Sequence, residues 1–142
     1  MNTAVPDASV AAKWFLRGGE ALVEEALDLL KQYSAGHLRL VVPDLFWAEF
    51  GSILWKAARQ GRCSREAQHE VVQSMLARKI PTVPSARLLA EAVSIATAFD
   101  RTLYDSLYVA LAVSVHAPFI TADERLANAL AAHLPVKWLG AI

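Results

Sequence analysis

Short apolar runs alternate along the chain with longer segments whose apolar residues recur at helical spacing. This pattern predicts five short strands and seven helices. The strands are expected at residues 3–6, 40–43, 81–83, 118–121 and 136–139, and the helices at residues 9–17, 20–34, 45–60, 64–77, 85–99, 103–115 and 124–132. Strands that alternate with helices favour an α/β fold in which helices cover both faces of a central parallel sheet.

Local signals support several of these boundaries. Gly18 and Gly19 separate the first two helices, and Gly61 ends the third, as expected where a helix stops. Thr121 and Glu124 have the spacing of a capping box, in which a hydroxyl and a carboxyl group satisfy free backbone N–H groups at a helix start. The pattern therefore predicts that Thr121 caps the last helix.

The composition favours one folded domain over residues 1–142. The chain is 55% hydrophobic, which is too high for extended disorder and sufficient for a core. No apolar run reaches the roughly 18 residues that cross a bilayer, and no secretory signal is recognised, so we expect a cytoplasmic protein. Cys63 is the only cysteine, which excludes an internal disulfide and a cysteine-based zinc cage.

The charge of the whole chain gives no indication of a nucleic-acid partner, because the formal net charge is zero. Seven basic side chains either form a positive rim around an acidic pocket or lie on separate solvated helix faces. They are Arg17, Lys56, Arg59, Arg62, Arg65, Arg78 and Lys79.

Four acidic side chains occupy positions where a folded chain has little reason to place a charge. Asp7 and Asp123 follow apolar strands, at the strand ends where parallel sheets bind ligands. Glu49 borders the apolar stripe of its helix, and Asp105 shares a helix face with Tyr108. Buried carboxylates are costly unless they are paired, protonated or bound to a cation. Four that converge indicate a divalent-metal site with oxygen ligands.

Each acid also has an ordinary structural role open to it. Asp7 and Asp123 are suited to cap the helices that follow them, and Glu49 is suited to pair with an arginine. Asp105 lies in the first turn of a helix that Thr102 is placed to cap. These roles do not explain why two acids lie at strand ends while two interrupt apolar helix faces. The combination therefore favours the metal site.

Four parts of the chain resemble the motifs of PIN-domain ribonucleases, and among them the VapC-type toxins of bacterial toxin–antitoxin pairs. They occur in the family's order over nearly the whole chain. The matching stretches are Val5-Pro-Asp-Ala-Ser-Val10 with Lys13-Trp-Phe-Leu16, Leu40-Val-Val-Pro-Asp-Leu45 with Ala48-Glu49, Leu103-Tyr-Asp-Ser-Leu-Tyr-Val-Ala-Leu-Ala112, and Phe119-Ile-Thr-Ala-Asp-Glu-Arg-Leu126. Ser106 departs from the family pattern, in which an alanine commonly follows the third acid, but serine is small enough to fit.

The resemblance implies a PIN-like three-layer α/β/α fold with a parallel sheet of about five strands. It also implies a site for Mg²⁺ or Mn²⁺ made of catalytic acids and supporting hydroxyl groups. The acids are Asp7, Glu49, Asp105 and Asp123, and the hydroxyl groups belong to Ser9 and Thr121. In such a site a metal-activated water attacks an RNA phosphodiester. The implied partners are an RNA substrate, a VapB-like antitoxin whose tail blocks the pocket, and a second copy of the chain in a homodimer.

Three other functions stay open at this point. A phosphatase of the haloacid dehalogenase type also has an acid at the end of its first strand, but it requires a second Asp where this chain has Ser9. A receiver domain requires an acidic pair near the first strand and a lysine late in the sheet, and neither is evident. A catalytically silent PIN fold that binds protein or RNA has no need to bury four acids, which counts against it.

Overall fold

An alternation of strands and helices runs through residues 2–142, which are the residues that the structure, a computed structural model, describes. Met1, which the single-domain prediction includes, lies outside them. The strands are Asn2–Pro6 (β1), Leu38–Leu40 (β2), Val42–Pro43 (β3), Thr82–Val83 (β4), Phe119–Thr121 (β5) and Val136–Trp138 (β6). The α-helices are Ala8–Ala12 (α1), Val23–Ser34 (α2), Leu45–Arg59 (α3), Arg65–Ala77 (α4), Ser85–Phe99 (α5), Leu103–Val115 (α6) and Glu124–Leu130 (α7).

The strands of this region pair in parallel. β2, β1, β5 and β6 form a sheet in that order, and β3 pairs with β4. Only Val41 separates β2 from β3. Its N–H donates to the carbonyl oxygen of Ala4 in β1 (3.2 Å), whereas the next N–H, of Val42, donates to Pro81 beside β4 (3.0 Å). The predicted strand at 40–43 is therefore divided, because one extended segment changes partner in its middle.

Helices cover the sheet on both faces. α6 packs against β1, β3 and β5, while α2 packs against β2 and α7 against β5 and β6. Right-handed crossovers place α2 and α6 on opposite faces, because the chain moves in opposite directions across the sheet before β2 and before β5. The three-layer α/β arrangement agrees with the prediction. No helix in the described part of the chain is both long enough and apolar enough to span a membrane.

Two helix boundaries near the first strand differ from the prediction. α1 ends at Ala12 instead of residue 17, and α2 begins at Val23 instead of residue 20. The cause is Trp14, which is buried after α1 and donates its indole N–H to the carbonyl oxygen of Ala26 (2.8 Å). Beyond Ala12 the chain continues in tighter turns, in which the N–H of Trp14 donates to the carbonyl oxygen of Ala11 (3.0 Å). Leu22, with φ of 60°, then redirects the chain into α2.

The predicted capping box before the last helix is wrong. The N-cap of α7 is Asp123, whose Oδ1 accepts a hydrogen bond from the N–H of Leu126 (3.1 Å). Thr121 belongs to β5, and its hydroxyl bonds elsewhere. A spacing motif cannot distinguish two neighbouring cap candidates when one of them is held by a strand.

Candidate metal centre

Two of the predicted acids lie at one edge of the sheet because β1 pairs with β5. Asp7 directly follows β1, and its N–H donates to the carbonyl oxygen of Ile120 in β5 (2.9 Å). Asp123 lies just beyond the end of β5. Asp7 caps α1 through the N–H of Ser9 (3.5 Å), as Asp123 caps α7. Both acids therefore fill the structural roles left open by the sequence, at the edge where parallel sheets bind ligands.

Thr121 connects these two acids through a single hydroxyl group. The side chain is fully buried. Its Oγ1 donates to Oδ2 of Asp7 (3.1 Å) and accepts a hydrogen bond from the N–H of Asp123 (3.0 Å). Both functions of the hydroxyl are satisfied, so Thr121 orients the Asp7 carboxylate relative to the turn that carries Asp123.

Glu49 enters the same region from α3 and is held by a tyrosine. The buried stripe of α3 is formed by Phe46, Phe50 and residues further along the helix, and the partly buried Glu49 borders it as the helical wheel predicts. Its Oε1 accepts a hydrogen bond of 2.6 Å from the hydroxyl of Tyr108 on α6. Burial, and then the bond to Glu49, raise the pKa of Tyr108, so this hydroxyl stays protonated and acts as a fixed donor.

Ionisation of the Asp7 carboxyl group is unfavourable in the folded protein. Burial first, and then the negative charge of Glu49, raise the pKa of Asp7 from 3.8 to about 6. The hydrogen bonds from Thr121 and Ser9 act in the other direction but do not offset these causes. At neutral pH the protein therefore keeps a carboxylate that its surroundings destabilise, which is the electrostatic condition that a bound cation relieves.

Asp105 and Asp123 form the second electrostatic pair. The N–H of Asp105 donates to the hydroxyl of Thr102, the N-cap of α6 (3.1 Å). Burial is the main cause that raises the pKa of the Asp105 carboxyl; contact with Thr102 opposes the shift, and the charge of Asp123 adds to it. Ser106 is fully buried, and its hydroxyl is satisfied by the carbonyl oxygen of Thr102 (2.8 Å), so the departure from the family pattern is accommodated within the helix.

The structure arranges the four acids as two pairs instead of one cluster. The first pair is Asp7 with Glu49, and the second is Asp105 with Asp123. Within residues 2–142, no group of three or more His, Cys, Asp or Glu side chains stands close enough to hold a metal ion. The ion pairs of this region join Glu20 to Lys13 and to Arg62, so none of the four acids forms one. The charge of Arg101 acts on Asp105, but it does not offset the causes that raise the pKa of that carboxyl. The carboxylate oxygens of the two pairs are nevertheless the ligand type that a hard divalent cation such as Mg²⁺ or Mn²⁺ prefers.

A cavity of about 470 Å³ opens beside the first pair. Asp7, Ser9 and Glu49 line it, together with Lys56 of α3 and Tyr104 at the start of α6. Asp105 and Asp123 are not among the lining residues. The first pair is thus accessible to a ligand from this cavity.

Several of the basic residues predicted to form a rim have other partners. Arg17 donates to the carbonyl oxygen of Trp14 (2.8 and 3.0 Å), and Arg62 pairs with Glu20. Among the described residues that line the cavity, Lys56 is the one basic side chain. Of the predicted positive rim, only Lys56 therefore lies at this cavity.

Two tyrosines of this region are not among the site residues that the sequence predicts. The helical pattern places Tyr108 on the same helix face as Asp105, but its bond to Glu49 joins residues 59 positions apart, which no local pattern predicts. Tyr104 is the other. Its exposure next to Asp105 results from the packing of the folded chain, so the sequence alone gives only its position one residue before an acid.

The family model of the PIN domain matches residues 4–130. The chain belongs to the PIN-domain family. No curated protein is significantly similar in sequence to this PIN domain. The family match runs from within β1 to the end of α7, and so includes all four acids discussed above.

Solved structures share the PIN fold with this chain. PAE2754 from Pyrobaculum aerophilum has a TM-score of 0.69 at 23% identity, over 99% of this chain and 85% of that one. VapBC2 from Rickettsia felis, bound to a DNA fragment from their promoter, has a TM-score of 0.66 at 13% identity, over 96% and 98%. VapC20 from Mycobacterium tuberculosis, a sarcin–ricin-loop-cleaving toxin, has a TM-score of 0.64 at 15% identity, over 92% and 95%.

Proposed function

We propose that this PIN domain is a metal-dependent endoribonuclease, the toxin of a type II toxin–antitoxin pair. The observation that carries the proposal is the Asp7 carboxylate, buried next to Glu49 at the carboxyl edge of the sheet, with its pKa raised to about 6 and no basic partner. Membership of the PIN family supports it, as do the toxin–antitoxin proteins among the structures of the same fold.

Asp7, Glu49, Asp105 and Asp123 would hold Mg²⁺ or Mn²⁺. A bound ion of this kind supplies a water of lowered pKa and positive charge for the phosphate. The chain's own residues position the acids. Thr121 aims the Asp7 carboxylate through its 3.1 Å bond, and Ser9 contributes its N–H to the same group. Asp7 and Asp123 are also held in place because each caps a helix, which reduces the rearrangement needed when a cation binds.

The proposed reaction is hydrolysis of an RNA phosphodiester with in-line attack by water, which leaves a 5′-phosphate and a 3′-hydroxyl. The four carboxylates repel a bare phosphate, so the acids require a cation before substrate binds. This ordering predicts that RNA cleavage is absent in EDTA and is restored by Mn²⁺.

The proposed partners are an RNA substrate, a VapB-like antitoxin and a second copy of the chain, all in the cytoplasm. We include residues 1–142 in one nuclease domain. A homodimer would have twice the 15.5 kDa mass of the chain, which light scattering of the purified protein measures directly. A mass of one chain would contradict the dimer and leave the nuclease proposal unaffected.

The deciding experiment compares RNA cleavage with Mn²⁺ by the wild type, Asp7→Asn, Asp105→Asn and the control Asp28→Asn. Asp28 is exposed on α2, away from the candidate centre. We expect cleavage by the wild type and the control and none by the other two variants. If Asp7→Asn and Asp105→Asn cut as well as the wild type, the catalytic assignment is wrong.

The alternative is a catalytically silent PIN fold that binds protein or RNA. One observation favours it, namely that the acids stand as two pairs and not as a ready-made cluster. A wild-type protein that neither cuts RNA nor gains thermal stability from Mn²⁺ would support this alternative, since a ligand that binds the native state raises its melting temperature.

A further inference from the structure

The cavity beside Asp7 and Glu49 extends past the proposed catalytic acids. Its α3 residues recur at spacings of three and four from Leu45 to Lys56, which places them on one side of the helix. Tyr104 from α6 completes the lining. The cavity therefore has a mixed wall, acidic at one part and apolar, aromatic and basic at another.

Tyr104 is an exposed aromatic residue next to one of the proposed catalytic acids. It immediately precedes Asp105, and 60% of its surface is exposed. A tyrosine that packs in a core does not keep this exposure, whereas Tyr108 one turn later is buried. An accessible aromatic ring beside a phosphodiester-cleaving centre is suited to stack on an unpaired base.

Lys56 supplies the complementary charge. It is exposed on α3 and forms no ion pair with another residue of the described region. Seven residues separate it from Glu49, which corresponds to roughly 10 Å along the helix axis. The ammonium group is therefore displaced from the acids and is suited to a phosphate next to the one that is cut.

The size of the cavity limits what enters it. A volume of about 470 Å³ is in the range of sites that bind one small ligand, which is the scale of a single nucleotide. We propose that this cavity binds one unpaired nucleotide of the RNA substrate, with Tyr104 stacked on its base and Lys56 holding its phosphate. The proposal rests on the proposed function and specifies that its substrate is single-stranded where it meets the centre.

The test is binding of a short, mixed-sequence, single-stranded RNA by fluorescence anisotropy, with Mg²⁺ present and on an Asp105→Asn background that keeps the RNA intact. Tyr104→Ala should weaken binding by about tenfold relative to the Asp105→Asn parent, the loss expected for one stacked base, while Tyr104→Phe keeps the affinity of the parent. Lys56→Gln should reduce the salt dependence of log K by about 0.7, the contribution of one phosphate contact on a single strand.

Matched controls separate this subsite from general effects. Lys31→Gln removes an exposed lysine on α2, and it should leave the salt dependence unchanged. Lys56→Arg should retain the salt dependence of log K that the Asp105→Asn parent shows, and Tyr104→Ala should not change the affinity for duplex RNA of the same sequence. Thermal melting of each variant checks that the fold is intact.

The outcomes distinguish this proposal from the nuclease proposal. If Tyr104→Ala and Lys56→Gln bind single-stranded RNA as the parent does, while the wild type cuts RNA with Mn²⁺, the subsite is wrong and the nuclease stands. In that case the part of the cavity formed by Tyr104 and Lys56 would be assigned to contact with a protein partner instead of RNA. If the parent binds no single-stranded RNA and the wild type does not cut, both proposals are overturned.

Discussion

Asp7 is the residue at which stability and the proposed chemistry conflict. Its carboxylate is buried beside a second negative charge and is held there by Thr121 and Ser9. A protein selected only for stability has no reason to keep this arrangement, since an asparagine carries no charge, accepts from the N–H of Ser9 through its oxygen and can donate its amide N–H to the Thr121 hydroxyl. The destabilised carboxylate is therefore best explained by a ligand that binds it.

Asp7→Asn should stabilise the protein in the absence of divalent ions, and increasingly so as the pH rises. In the folded protein the pKa of Asp7 is about 6, against an ordinary 3.8. The unfolded chain therefore ionises first, and the wild type loses stability between about pH 4 and pH 6. A shift of about two units corresponds to at most about 3 kcal/mol. Urea unfolding in EDTA should show this gain at pH 7 and none near pH 4.

The exposed Asp28→Asn variant serves as the control for the same measurement and should change little at either pH. A gain of equal size at both pH values for Asp7→Asn would mean that charge is not the cause of the difference.

Tyr108→Phe should destabilise the protein more than Tyr33→Phe. The Tyr108 hydroxyl donates to the Glu49 carboxylate (2.6 Å), whereas the Tyr33 hydroxyl donates to the neutral carbonyl oxygen of Arg78 (3.0 Å). Hydrogen bonds to charged groups contribute about 2 kcal/mol and those to neutral groups about 1 kcal/mol. Urea unfolding of both variants measures the difference. The reverse order would show that Glu49 does not depend on this tyrosine.

At the scale of the elements, α6 connects the core to the candidate centre. Its middle residues, from Ser106 to Ala112, are all buried, as expected of a helix that is apolar on every side. Its first turn carries Tyr104 and Asp105 toward the edge of the sheet. Because the rest of the helix is fixed by packing on β1, β3 and β5, the cap at Thr102 decides how the first turn is presented.

Thr102→Ala and Ser64→Ala should separate a helix cap near the centre from one far from it. Each hydroxyl accepts a hydrogen bond of 3.1 Å from a backbone N–H, of Asp105 in α6 and of Ala67 in α4. Both variants should lose about 1 kcal/mol of unfolding free energy. Only Thr102→Ala should also lower the rate of RNA cleavage, by about tenfold, because it removes a group that orients a proposed ligand. Equal cleavage rates in the two variants would contradict this role.

At the scale of the whole molecule, opposite charges are distributed without a single dominant field. The net charge is zero, so affinity for RNA must come from local features, which here are the proposed cation, Lys56 and Tyr104. None of the four acids of the centre forms an ion pair, whereas Glu20 forms the ion pairs of the described region with Lys13 and Arg62.

Expression in bacteria tests the proposed role of the whole protein. The wild type should arrest growth, and Asp7→Asn should not, although it folds at least as stably. Co-expression of a small protein encoded next to this chain should relieve the arrest. Arrest by both forms at equal protein levels would exclude RNA cleavage at this centre as its cause.

Much of the architecture could be read from local patterns. The apolar runs located the strands to within about two residues, and the helical wheel placed Glu49 at the border of its stripe, because side-chain periodicity reports which side of an element faces the core. The local patterns did not predict the end of α1 before Trp14 or the division of the strand at Val41. In both cases a contact with a distant segment redirected the backbone, and no neighbour in sequence announces such a contact.

The positions of the four acids along the chain were accessible from the sequence, because strand ends and helix faces are local properties. Their division into two pairs came only from the folded chain. Thr121 meets Asp7 across 114 positions and Tyr108 meets Glu49 across 59. Which strands become neighbours, and therefore which side chains share an edge, depends on the packing of all elements together. The local patterns of a single sequence describe each element separately and do not specify how the elements pack together.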